Sequence, residues 1–127
     1  MDAGISSNME DYLETIHLLE RDRGNVRVKD IAARMRLSSA SVSVAVKALE
    51  KQGLVLHPRY DLITLTLKGS KLAERIYERH LTLMKFLQDV LGVDRETAEK
   101  DACRIEHNIS PRTFKRLKAF MEESVHP

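Results

Sequence analysis

Apolar residues at Met9, Tyr12, Leu13, Ile16 and Leu19 recur with the 3.6-residue period of a helix that buries one face. The spacing predicts a first helix over about residues 7–22, with Ser6, Ser7 or Asn8 able to cap its start. Gly24 and Asn25 then suit a turn. In VKDIAARMRLSSASVSVAVKALEKQGLV, a second helix over about 28–35 turns Ile31, Ala32 and Met35 inward. A short turn follows around Arg36 to Ser38. A third helix over about 39–52 buries Val42, Ala45, Val46 and Leu49, and Gly53 caps its C-terminal end. LVLHPRYDLITLTLKG alternates apolar and polar positions on either side of Pro58 to Asp61, the pattern of a small hairpin.

After Lys68 the helical period takes over. Leu72, Ile76, Leu83 and Leu87 mark the stripe of a fourth helix over about 69–90, with His80 inside the stripe and Gly92 ending it. A fifth helix follows in DRETAEKDACRIEHN, capped by Asp94, and a sixth in SPRTFKRLKAFMEES, with Ser110 as cap and Pro111 at the first helical position. The fold class is therefore mainly α. Helix, short turn, helix, hairpin is the order of a winged helix-turn-helix, a DNA-reading unit. The alternative is a small helical domain whose hairpin only covers a core.

Composition narrows the picture without choosing the function. The 127 residues suit one domain or two small ones sharing a core. A net charge of +2 is too small to announce nucleic-acid binding, so a local basic surface would have to supply it. The single cysteine excludes an intrachain disulfide and suits a reducing cytosol. No apolar run reaches the length of a membrane span and the N-terminus lacks signal-peptide features, so a cytoplasmic protein without membrane partners is expected.

With Val42, Ala45, Val46 and Leu49 inward, the third helix turns Ala40, Val44, Lys47 and Lys51 outward. On a recognition helix, Ala40 and Val44 would touch thymine methyl groups in the major groove. Ser39, Ser41 and Ser43 would meet phosphates at the helix N-terminus. Lys47, Lys51 and, at the hairpin tip, Arg59 would add phosphate contacts. Taken singly, each lysine is as well explained by a solvated face; the signal lies in their joint placement.

A set of polar residues fits neither core nor DNA surface. The fifth helix carries Cys103, Glu106 and His107 on one face, with Glu99 one turn earlier. The fourth holds His80 in its apolar stripe, and the first holds Asp11 and Glu14 three residues apart. Individually, the acids could serve the helix dipole, His80 could be a hydrogen-bonded core histidine, and Cys103 could be core filling. Glu99 apart, they offer together one thiolate, two imidazoles and three carboxylates. That set suits an octahedral Mn²⁺ or Fe²⁺ better than a four-coordinate structural Zn²⁺. A thiolate–imidazolium nucleophile from Cys103 and His107 is the competing enzymatic reading, although no glycine-rich turn offers an oxyanion hole. A metal-independent winged-helix regulator is another alternative.

The stretches MEDYLETIHLL, LSSASVSVAVKALEKQGLV, ERHLTLMKFL and DACRIEHNIS together resemble the diphtheria toxin repressor and manganese transport regulator family over nearly the whole chain. The resemblance implies a homodimeric repressor of metal-uptake genes acting on a near-palindromic operator in double-stranded DNA. It implies a winged-helix domain over residues 1–67 and a helical dimerisation and metal-sensing domain over 68–127, without the SH3-like domain of larger relatives. Mn²⁺ or Fe²⁺ would be the effector, with Co²⁺ or Zn²⁺ able to substitute. Asp11, Glu14, His80, Glu106 and His107 match the manganese-sensor ligands. At Cys103 those sensors carry glutamate and the iron sensors cysteine; at Asp11 the iron sensors carry methionine, and at Glu14 no acid. The chain mixes the two patterns. Iron sensors also have an ancillary site, built partly from a glutamate where Met84 stands and a histidine near Glu99; Met84 cannot serve as a hard ligand, so His80 joins the main site and Glu99 is left as an accessory candidate. Val44 stands where the toxin repressor has glutamine.

Overall fold

The computed structural model describes residues 6–57 and 62–125. Its elements run α1 (Ser7–Arg23), β1 (Val26–Arg27), α2 (Val28–Met35), α3 (Ser39–Lys51), β2 (Val55–Leu56), β3 (Leu62–Leu65), α4 (Leu67–Lys85), α5 (Arg95–Glu106) and α6 (Pro111–Val125). Two compact units divide the chain within α4, one covering Asn8–Arg75 and the other beginning at Ile76.

The first unit is a helix-turn-helix closed by a small sheet. Asp30 starts α2 by accepting the Arg27 backbone N–H at 2.9 Å and an Arg23 guanidinium N–H at 3.0 Å. Arg36 ends it in the left-handed region at φ 57°, and Leu37 N–H returns to Ala32 O at 3.0 Å. This closure satisfies carbonyls that the last helical turn would leave open. Ser38 then caps α3 by accepting the Ser41 N–H at 3.1 Å. The turn between the two helices is thus three residues, each with a defined role.

β3 lies between β1 and β2, antiparallel to both, with Val26 opposite Ile63 and Val55 opposite Leu65. The inward side chains Val26, Val55, Ile63 and Leu65 are buried, as are Val42, Val46 and Leu49 of α3. Ala45 is only half-buried, so the inward stripe of α3 is narrower than its spacing predicts. The sheet also has one strand more than the hairpin alone, because β1 pairs two residues just before α2.

In the second unit, α4 ends in a π-helical turn, Phe86–Val90, where Leu91 N–H reaches Phe86 O. The regular α-helix therefore stops earlier than the apolar spacing predicts, and it starts earlier as well, at Leu67. Gly92, at φ 70°, turns the chain out. Leu83 and Leu87 pack with Ala98 and Ala102 of α5, whose small side chains let the two helices approach closely. Asp94 caps α5 by accepting the Thr97 N–H at 3.1 Å, and Ser110 caps α6 by accepting the Thr113 N–H at 3.2 Å. A Lys118–Glu78 ion pair ties α6 to α4, and the carboxylate holds the Lys118 ammonium above its ordinary range.

Candidate functional site

α4 and α5 bring three of the expected ligands together in the second unit. His80, Cys103 and Glu106 each offer a donor atom, and these lie within 4.8 Å of one another. Cys103 and His107 likewise offer donors within 4.8 Å. The i, i+3, i+4 spacing on α5 accounts for the Cys103, Glu106 and His107 group. The close packing of α4 on Ala98 and Ala102 brings His80 to the same place.

Burial makes this group costly as a purely structural feature. Glu106 is fully buried, and His80 and His107 are nearly so, while Cys103 is half-buried. His80 Nδ1 lies 2.8 Å from Glu106 Oε1. The other carboxylate oxygen, Glu106 Oε2, is buried with no hydrogen-bond donor within reach. An orphaned buried acceptor costs roughly 1–3 kcal/mol, and a charged one more. His80 is hydrogen-bonded, as the structural alternative expects, but its partners are carboxylates: its Nε2 also lies 3.1 Å from Glu99 Oε1. A divalent cation would satisfy Glu106 Oε2 and use the thiolate and imidazole beside it, so the donors present fit such an ion.

Asp11 and Glu14 belong to the first unit, on α1, where Asp11 is half-buried and Glu14 buried. A buried glutamate on α1 is more than a dipole-compensating surface acid. Met84, on α4, is half-buried against the Leu83 and Leu87 cluster and so contributes to packing.

On α3, Ser39, Ala40, Ser41, Val44, Lys47 and Lys51 are exposed and Ser43 is half-buried. Val44 is 70 % exposed, high for a branched apolar side chain on a helix whose opposite face is core. The turn before α3 adds Arg36 and Leu37, both exposed. Helical periodicity cannot single these out, because they lie outside any helix. Arg59 lies outside the described residues.

Two family models match the chain in succession. The iron dependent repressor N-terminal DNA binding domain matches residues 4–62, and the iron dependent repressor metal binding and dimerisation domain matches residues 66–126. The chain belongs to the iron-dependent repressor family. This family consists of transcriptional repressors, so the thiol-enzyme reading of Cys103 and His107 falls. Among relatives of the iron-dependent repressors, an HTH-type transcriptional regulator of Methanocaldococcus jannaschii is 36% identical over 120 residues, covering 94% of this chain and 96% of the relative. The regulator MntR of Lysinibacillus sphaericus is 39% identical over 110 residues, covering 87% and 78%. The manganese regulator SloR matches in structure with a TM-score of 0.78 at 35% identity, over 90% of this chain and 53% of that one. A manganese-dependent transcriptional repressor in complex with manganese matches with a TM-score of 0.79 at 28% identity, over 90% and 52%. The chain spans about half the length of these solved chains. The winged helix-turn-helix and its helical companion are the family's two parts, and no helix among the described residues is long and apolar enough to cross a membrane.

Proposed function

We propose that this iron-dependent repressor family member is a cytoplasmic homodimer that represses metal-uptake genes when Mn²⁺ or Fe²⁺ is plentiful. The observation that carries the reading is the fully buried Glu106, whose Oε2 has no hydrogen-bond partner while His80 and Cys103 offer metal-ligating atoms within 4.8 Å. In the proposed ligand set His80, Cys103, Glu106 and His107 come from α4 and α5, and Asp11 and Glu14 come from α1. The family's ligand pattern supports the α1 members. A bound cation supplies the positive charge that offsets these carboxylates. Such a dimer must present its two α3 helices about one DNA turn apart, ~34 Å, or a multiple of it. In this reading Ser39, Ser41, Ser43, Lys47, Lys51 and Arg59 contact phosphates, and Ala40 and Val44 contact bases.

The similarity to the manganese regulator SloR and to the manganese-bound repressor supports manganese, while Cys103 softens the site toward Fe²⁺, and toward Co²⁺ or Zn²⁺ as substitutes. The test selects operators from random duplexes under anaerobic Mn²⁺ or Fe²⁺, then measures binding by fluorescence anisotropy with each metal and in chelator. A two-fold symmetric site bound only with metal is expected. Equal affinity in chelator, or a monomer by sedimentation with and without metal, would overturn the proposal.

A further inference from the structure

We infer that Glu99 is a positioning residue for the metal centre: it holds the His80 ring with its proton on Nε2, so that the Nδ1 lone pair is the one offered to the ion. This rests on the metal-binding reading above. His80 is 5 % exposed, and its two ring nitrogens meet two different carboxylates. Nδ1 lies 2.8 Å from Glu106 Oε1 and Nε2 lies 3.1 Å from Glu99 Oε1. The two ends of the ring differ in surroundings. On the Nδ1 side, Glu106 is fully buried and its Oε2 has no hydrogen-bond partner; the Cys103 thiol lies within 4.8 Å of ligating atoms of both His80 and Glu106. On the Nε2 side, the Glu99 side chain is 58 % exposed, and among the described residues it joins neither of the converging donor groups.

A neutral imidazole carries one N–H and one lone pair, so offering a lone pair at one nitrogen places the proton at the other. A carboxylate accepting that proton fixes both the tautomer and the ring's direction, and makes the imidazole a better donor. Tyr77, one turn earlier on α4, lies nearly parallel to the ring, with centroids 6.4 Å apart and an interplanar angle of 11°. Tyr77 thus flanks the ring in a parallel, offset arrangement, and Glu99 meets its outer edge. The competing assignment makes Glu99 an accessory ligand.

The test uses the full chain and Zn²⁺ as the probe. In zinc-loaded protein with ¹⁵N-labelled histidine, the His80 signal, identified by its loss in His80→Gln, should show a protonated Nε2 and an unprotonated Nδ1. Glu99→Ala should weaken zinc binding roughly 10–100-fold without changing the number of ions bound. Glu99→Gln keeps an oxygen acceptor and should recover affinity to within about threefold of wild type. Wild-type affinity in Glu99→Ala, or a His80 ring protonated at Nδ1, would overturn the inference. Loss of one ion in both Glu99 variants would overturn it in favour of the accessory ligand. If the wild-type chain took up no zinc, or His80→Ala bound zinc unchanged, the metal reading itself would fall and the inference with it.

Discussion

Gly69 occupies the first turn of α4, where an added Cβ would lie 2.0 Å from the Leu54 carbonyl oxygen. The neighbour is backbone, and it is already engaged: Leu54 O accepts the Thr66 N–H at 3.0 Å, while Thr66 donates its hydroxyl to Gly53 O and accepts the Gly69 N–H. Gly69→Ala must therefore displace the α4 start from the Leu54 backbone that leads into β2. Overpacking of this kind costs about 1–3 kcal/mol and sometimes more, and urea unfolding should report a loss in that range. A change under about 0.5 kcal/mol, the size of an ordinary surface substitution, would show that the contact yields easily. At Cys103 the expectation concerns selectivity. Cys103→Glu replaces a soft donor with a hard one, so activation of DNA binding by Mn²⁺ should persist while the response to Co²⁺ and Zn²⁺ falls. Anisotropy titrations with each metal decide this; an unchanged order of metals would remove Cys103 from the ligand set.

At the scale of the element, the helices are closed by short polar caps, and their loss is measurable. Ser38→Ala removes the acceptor for the Ser41 N–H at the start of α3 and should cost about 1 kcal/mol by denaturant unfolding. Asp94 adds a pH dependence. The Thr97 hydroxyl, and after it the Thr97 N–H, hold its carboxyl below the ordinary carboxylate range. Because the folded state lowers this pKa, the cap's charge-linked stability is present above the unfolded pKa of about 4 and is lost as pH falls through the folded value. Asp94→Asn retains a capping oxygen, so its melting temperature should fall less than that of wild type on acidification from neutral pH. A parallel decline in both would mean that the cap's charge contributes nothing. These caps were also what made the elements readable: Ser110–Pro111, Asp94, Gly53 and Gly92 mark helix ends in the sequence as well as in space. β1 was not readable, since two residues are too few to show alternation and its pairing depends on β3, far along the chain. The π-helical turn was not readable either, because one extra residue per turn barely disturbs a short apolar stripe. The shared face of Cys103, Glu106 and His107 on α5 was legible from spacing alone, whereas the approach of Glu99 to His80 depends on how α4 packs on α5.

For the whole molecule, the question is whether one ion links the part of the chain that reads DNA to the part that senses metal. If Asp11 only favours the α1 dipole, Asp11→Ala should cost about 0.3–1 kcal/mol of stability and leave the metal response intact. If Cys103 only fills space, Cys103→Ala should cost little stability and leave the response unchanged. Shared ligation predicts otherwise. Both variants should remain folded in chelator, and both should lose most of the metal-activated DNA binding. Moving a two-state equilibrium from 1:99 to 99:1 requires about 5.5 kcal/mol of differential affinity, so losing a ligand that supplies even a third of it should be plain in the operator titration. The decisive observation is the double variant. Two residues on one ion act non-additively, so Asp11→Ala with Cys103→Ala should weaken metal-activated binding by clearly less than the sum of the single effects. Additive losses would mean that the two residues act at separate places, and wild-type activation in both single variants would mean that neither holds the metal.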